Sequence, residues 1–341
     1  MKDAPCTISR ILVTGGAGFI GATLVGRLLA AGHDVSVIDD GDGLRHRRAR
    51  AELPQARWIS VDMARIDLAD LLAGFDGVVH LAGQPGVQTS WGTGFDEHLR
   101  ANTLLTQRLL EAAIGLESCR MVLASSSSVY GEIITGTACE DTPLRPLSPY
   151  GVSKVACEQL MRVYVERGVD AVALRFFTAY GRRQRQDMAL SLIIDAALGG
   201  PAFPMRGDGS QARDFTHVDD IAAAIEAALF GSIPAGTVCN VGTGSPVSLV
   251  ALIDLVETIT GMAVALNQVP SAAGDPVRTA ADVSRAKTLL AWKPTVGLAE
   301  GVEDQIEYQV AVPSSVEQRS QTLPVGARCG DYGLHQVGGP A

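Results

Sequence analysis

Ile11-Leu12-Val13-Thr14-Gly15-Gly16-Ala17-Gly18-Phe19-Ile20-Gly21 is the stretch on which the fold turns. Its short apolar run fits a strand buried on both faces. Glycines follow at 15, 18 and 21, and from Phe19 to Ala30 apolar residues recur at helical spacing. A strand that turns through glycines into a helix gathers backbone N–H groups at one point, where a pyrophosphate fits. Such a site needs a tight turn, close backbone approach to phosphate, and tight packing of helix on strand, and the spacing of Gly15, Gly18 and Gly21 suits all three. Phe19 and Ile20, in the first helical turn, line the same site. Asp39 follows Gly21 by 18 residues, at the end of the strand-like run Val35 to Ile38. A carboxylate there accepts both ribose hydroxyls of an adenosine, which favours NAD over its 2′-phosphorylated relative. Asp40 and Asp42 stand near enough to be alternatives for that role.

Outward from this unit the pattern repeats. Val78 to Leu81, Met121 to Ala124 and Ala171 to Phe176 read as strands. Arg100 to Ala113 and Tyr150 to Glu166 read as helices, with Leu104, Leu105, Leu109 and Leu110 on one side of the first. Repeated β-α-β units imply an α/β fold, a Rossmann-like doubly wound parallel sheet with right-handed crossovers. After Tyr180 glycine and proline cluster at 199–201, 207–209 and 242–244, which predicts a smaller C-terminal substrate-binding lobe. The expected organisation is therefore a dinucleotide-binding domain over 1–180, mainly the lobe over 181–312, and a flexible tail over 313–341, where periodicity disappears.

Composition narrows the function. The 341 residues carry 28 Lys and Arg against 37 Asp and Glu, a net charge of −9, which opposes nucleic-acid binding. The one dense basic run, Arg45 to Arg50, reads as a solvated loop or helix face. No 18-residue apolar stretch predicts a membrane span, and residues 1–10 have no signal-peptide core. Six scattered cysteines, without CxxC pairs, fit thiols in a reducing cytosol. No histidine pair has ligand spacing, so no metal is expected.

Tyr150 and Lys154 stand at i and i+4 on one helix face, with Ser148 as a candidate N-cap and Pro149 in the first turn. An ammonium near a phenol favours the phenolate, and such a tyrosine can take a proton from a sugar hydroxyl while carbon gives hydride to a nicotinamide. The strand Met121 to Ala124 runs into Ser125-Ser126-Ser127-Ser128, which sets hydroxyls at the carboxyl edge of the sheet, where doubly wound folds bind ligands.

With these residues in view, the chain resembles the extended short-chain dehydrogenase/reductases, specifically the NAD-dependent nucleotide-sugar epimerases and dehydratases. The resemblance runs from about Arg10 to about Tyr308. It rests on TGGAGFIG (14–21), VVHLAG (78–83), ASSSSVYG (124–131), SPYGVSK (148–154), LRFFTAYG (174–181), RDFTHVDD (213–220), NVGTG (240–244) and GDPVRTAADVSRA (274–286). The resemblance implies that Tyr150 is the catalytic base and acid, that Lys154 binds nicotinamide ribose, and that Ser126 bonds the reacting hydroxyl. It implies that Asp62 and Met63 contact adenine, and that Leu81, Ala82, Gln84, Ser125 and Phe177 line the cofactor. Asn102 would support the backbone of that site. Arg213 and Arg278 would clamp the diphosphate and ribose of a UDP-sugar, a task suited to planar bidentate donors. A homodimer built on the helices at 98–116 and 150–166 is also implied.

Within the family, 4,6-dehydratases carry an Asp-Glu pair where this chain has Ser127-Ser128, and UDP-glucuronate decarboxylases usually carry Glu at the position of Ser128. Epimerisation at C4 through a 4-keto sugar remains. Phe177-Thr178-Ala179-Tyr180-Gly181, followed by Arg183-Gln184-Arg185, resembles the UDP-glucuronate 4-epimerase branch, in which Arg185 would meet the sugar carboxylate and Thr178 stands for a common Asn. Ser127, Ser128 and Thr178 are thus further substrate residues. Arg185 can also be read as one of several arginines in a solvated loop. Arg182 and Gln186 replace usual prolines, so a less rigid loop is expected. Gln88 stands where Arg is frequent, Gly83 replaces Ala, and Ala291 replaces Gly. The alternatives are a UDP-glucose 4-epimerase, a decarboxylase or dehydratase of the same fold and, more remotely, a non-catalytic NAD-sensing regulator.

Overall fold

A computed structural model describes residues 9–312 apart from 42, 117 and 271–273. The expected tail, Asp42 and the cysteines Cys6 and Cys329 lie outside the described residues. The chain opens as β1 (Arg10–Thr14), α1 (Phe19–Ala30), β2 (Asp34–Ile38), α2 (Leu44–Glu52), β3 (Arg57–Ile59), α3 (Leu68–Leu72) and β4 (Gly77–His80). It continues through α4 (Gly94–His98), α5 (Leu105–Ala112), β5 (Arg120–Ser126), α6 (Pro149–Val165), β6 (Ala171–Phe176) and β7 (Thr178–Tyr180). Then come α7 (Ala189–Ala197), β8 (Phe203–Arg206), β9 (Ala212–His217), α8 (Val218–Phe230), β10 (Val238–Val241), β11 (Pro246–Ser248) and α9 (Leu249–Thr260). The last elements are β12 (Leu266–Val269), α10 (Ser284–Leu289) and α11 (Leu298–Ala311).

Among the described residues, seven strands form one parallel sheet in the order β10-β6-β5-β4-β1-β2-β3. Strand alternation sends Ile11, Val13, Val79, Val122 and Val172 to one face, where α1 and α8 bring Leu24, Val25, Leu28, Ile221 and Ile225. Leu12, Val78, Met121 and Leu123 point to the other face and meet Leu72, Leu109, Leu110 and Met161 of α3, α5 and α6. Both faces are covered, which is why the strands read as unbroken apolar runs. The order reverses between β1 and β4, so the crevice of this fold opens beyond Thr14 and His80, which are register partners.

A second core gathers Leu190, Ile193, Phe203, Leu252, Val256 and Val302, from α7, β8, α9 and α11. It packs around the three-stranded β11-β9-β7 and the two-stranded β12-β8. The chain passes back and forth between the two parts: α8 and β10 follow Tyr180 in sequence, yet they complete the large sheet and its helical layer. The helix expected from Arg100 is wound wider over Leu99–Leu104, in i→i+5 turns, before α5 begins. Leu104 is exposed there, off the stripe formed by the buried Leu109 and Leu110. Among the described residues, no helix is long and apolar enough to cross a membrane.

Candidate active site

The glycine turn is built by contact. Gly15 has φ +68°, and a Cβ on it would lie 2.7 Å from the Ala82 amide nitrogen, in the segment that follows β4. A Cβ on Gly21 would lie 2.3 Å from the Gly15 carbonyl oxygen. Neither position admits a side chain. Gly18 caps α1 without any side-chain bond, so that helix end presents its first-turn N–H groups bare. Asp39 Oδ2 accepts from Ala17 N at 3.1 Å, Oδ1 accepts from Gly41 N at 3.1 Å, and His46 Nε2 lies 3.0 Å from Oδ1. A bare helix N-terminus, a turn with no room for Cβ and a carboxylate at the end of β2 fit the pyrophosphate and adenosine of NAD. Farther along, Asp62 Oδ1 accepts from Ala64 N at 2.8 Å, which caps a short turn and buries Met63. Leu81 and Ala82 lie just past β4, half-buried.

Asn102 ties this crevice to α6. Its Oδ1 accepts from Gln84 N at 2.8 Å, while Nδ2 donates to Gln84 O at 3.0 Å and Ser153 Oγ at 3.1 Å. On α6, Ser148 Oγ accepts from Gly151 N at 3.1 Å and Pro149 occupies the first turn. Gly151 lies so near the serine turn that a Cβ would come within 2.6 Å of Ser128 O. Lys154 Nζ donates to Ala124 O at 2.8 Å and stands 6.0 Å from the Tyr150 ring centre. Tyr150 also meets the edge of buried His98, with ring centres 6.0 Å apart. Ser126 Oγ donates to Ser128 Oγ at 3.1 Å and accepts from Ser128 N at 3.1 Å. Tyr150, Lys154 and the end of β5 carrying Ser126 are thus neighbours. Ser125 differs: its hydroxyl donates inward, to Glu158 Oε1 at 2.5 Å.

A buried polar layer supports these groups and escaped the reading of the sequence. Arg175 Nε and Nη2 donate to Glu158 at 2.9 and 2.7 Å, and Nη1 donates to Tyr130 Oη at 2.7 Å. Tyr130 in turn donates to Asn240 Oδ1 at 2.7 Å. Burial pushes the Tyr130 phenol up to about 12 despite the charge of Arg175, so it remains a donor. Glu158 follows Lys154 by one helical turn, a spacing that could have drawn attention to it. On the other side, His80 lies between Thr14 Oγ1 at 2.8 Å and Thr106 Oγ1 at 3.2 Å. Burial, then the charge of Lys154, pushes its imidazole down to about 3.

The second lobe carries the three arginines singled out in the sequence. Ala212 bridges Arg278 in parallel, which sets Arg213 and Arg278 on adjoining backbone segments. Arg213 Nη1 donates to Ala212 O and Val277 O, and burial pulls its guanidinium below the ordinary arginine value. Arg278 Nη1 donates to Gly136 O at 2.5 Å, and Glu132 accepts from the amides of Val277 and Arg278. Among the described residues neither arginine forms an ion pair. Thr178 begins β7, half-buried, opposite Phe215, and Phe177 is buried against Tyr130. Arg185 donates through Nε and Nη2 to Asp187 at 2.9 and 2.6 Å.

A dinucleotide crevice with a serine-ended strand and a Tyr-xxx-Lys helix beside it fits a dinucleotide-dependent enzyme of the α/β class. The chain belongs to the NAD dependent epimerase/dehydratase family, whose pattern matches residues 11–242, and it is an NAD-dependent enzyme of that family. It is 41% identical over 308 residues to YtcB of Bacillus subtilis (strain 168), named as an uncharacterized UDP-glucose epimerase; the match covers 88% of this chain and 97% of that protein. The structure of UDP-glucuronic acid 4-epimerase from Bacillus cereus, with UDP-glucuronic acid and NAD, superposes with TM-score 0.85 at 39% identity, covering 89% and 99% of the two chains. MoeE5, in complex with UDP-glucuronic acid and NAD, gives TM-score 0.82 at 41% identity over 89% and 99%.

Proposed function

We propose that this enzyme inverts C4 of UDP-glucuronate to give UDP-galacturonate. The observation that carries the reading is the serine turn: β5 runs into Ser126, Ser127 and Ser128, packed against the start of α6 at Gly151, where family members that eliminate or decarboxylate carry a carboxylate. NAD, when bound, supplies the hydride acceptor and donor for C4. Tyr150 takes the O4 proton and later returns it, while Ser126 Oγ bonds the same oxygen. Lys154, fixed on Ala124 O, keeps its positive charge near the phenol. Arg213 and Arg278 hold the diphosphate while the keto sugar turns to present its other face. Arg185 meets the C5 carboxylate, flanked by Ser127, Ser128 and Thr178.

UDP-glucose is the second reading, favoured by YtcB. Offering UDP-glucuronate, UDP-glucose and their N-acetylated counterparts, with products resolved by NMR, separates the two. Epimerisation of the uronate without loss of mass is the expected result; exchange of UDP-glucose and UDP-galactose alone would refute it. Tyr150→Phe should lower turnover by orders of magnitude with NAD still bound.

The same reading includes a homodimer in the cytosol. Leu99 and Leu104, with Val152 and Val163 of α6, are exposed on two helical runs that pack together, and the free thiols of Cys119, Cys139, Cys157 and Cys239 suit a reducing compartment.

A further inference from the structure

The loop between β7 and α7 carries three arginines, and each has a carboxylate partner. Arg182 pairs with Asp304 of α11, and Arg183 pairs with Glu52 of α2. Both pairs tie the loop to distant elements. Gln184 adds a third tie from inside: its Nε2 donates to Ala179 O at 2.9 Å, and its Oε1 accepts from Gln305 Nε2 at 2.7 Å. Gly181 N donates to Gln305 Oε1 at 2.8 Å. The loop is therefore held without help from its third arginine.

Arg185 is arranged differently. Its partner, Asp187, lies two residues away in the same loop, and the charge of Arg45 on α2 acts on the same carboxylate without an ion pair. The Arg185 side chain is 25% exposed and that of Asp187 is 62% exposed. The contact is bidentate, one guanidinium edge against one carboxylate, the geometry in which arginine recognises any carboxylate. The pair is open to solvent on the Asp187 side, so a competing carboxylate can reach the guanidinium, and the bidentate geometry is one that it can reproduce.

We propose that Asp187 is a resident carboxylate on Arg185, and that the carboxylate of the sugar displaces it. The inference rests on the hexuronate reading above. Asp187 is then a specificity-setting residue that acts through Arg185: it keeps the guanidinium oriented and neutralised until an anionic sugar arrives. Its presence raises the concentration of uronate needed, and a neutral sugar cannot make the exchange.

The test compares KM and kcat for UDP-glucuronate and UDP-glucose, which share the diphosphate and differ at C5. Asp187→Asn should lower KM for the uronate roughly twofold to fivefold relative to UDP-glucose, with kcat little changed. Asp187→Glu, which restores a carboxylate, should return the ratio toward the parent value. A ratio that stays the same in Asp187→Asn, or moves toward UDP-glucose, overturns the exchange. Arg185→Ala separates the two ideas. If it abolishes preference for the uronate while Asp187→Asn changes nothing, the exchange fails alone; if it leaves the preference intact, the hexuronate reading fails and the exchange with it.

Discussion

Tyr150, Lys154 and Ser126 are held in place by neighbours that are silent in a linear reading. Lys154 would be a mobile ammonium were it not anchored on Ala124 O, and the start of α6 meets the serine turn only because residue 151 is glycine. His80 shows how far a residue's chemistry can depart from its type. Its folded value lies near 3, whereas an unfolded histidine titrates near 6.5. Between those values the unfolded chain binds the extra proton, so stability falls as pH falls through the window. Urea denaturation at pH 7 and pH 5 should show the parent losing about 2 kcal/mol more than His80→Asn over that interval. Equal losses would mean that His80 does not titrate as a buried neutral ring.

At the scale of elements, α6 is held from two directions. Its first turns carry Tyr150 and Lys154, and one turn further along the same face Glu158 is fully enclosed with Arg175 of β6. Ser125 joins the same carboxylate from β5, one residue before Ser126. The buried Glu158 thus fixes α6 against both β5 and β6. Arg175→Met leaves the buried Glu158 carboxylate with the Ser125 hydroxyl but no cation, and should lower unfolding free energy by about 3–5 kcal/mol. The double change Arg175→Met with Glu158→Gln should recover part of that loss, as chemical denaturation would register. A double variant no more stable than the single one would place the destabilisation in packing rather than in the stranded charge.

For the whole molecule, one returning segment joins the core of the large sheet to the core of the smaller part. Residues 218–241 leave the small part to finish the large sheet, and the chain then returns through β11 and α9. Beyond the single chain, the exposed Val152 and Val163 on α6 and Leu104 before α5 supply the apolar face of the proposed dimer. Val163→Glu should convert a dimer of twice the chain mass into a monomer in light scattering after size exclusion. An unchanged mass would move the interface elsewhere.

The glycine turn, the parallel sheet and the Tyr-xxx-Lys helix were legible in the sequence because each depends on local spacing: strand period, helical period and the room a glycine leaves. Arg213 and Arg278 were reached only through resemblance to relatives, since nothing local joins residues so far apart. The Arg175–Glu158 pair, the histidine between two threonines and the carboxylate seated on Arg185 belong to tertiary structure. A charge or proton is set by what surrounds it after the chain has closed, and hydropathy along a line carries no record of that enclosure.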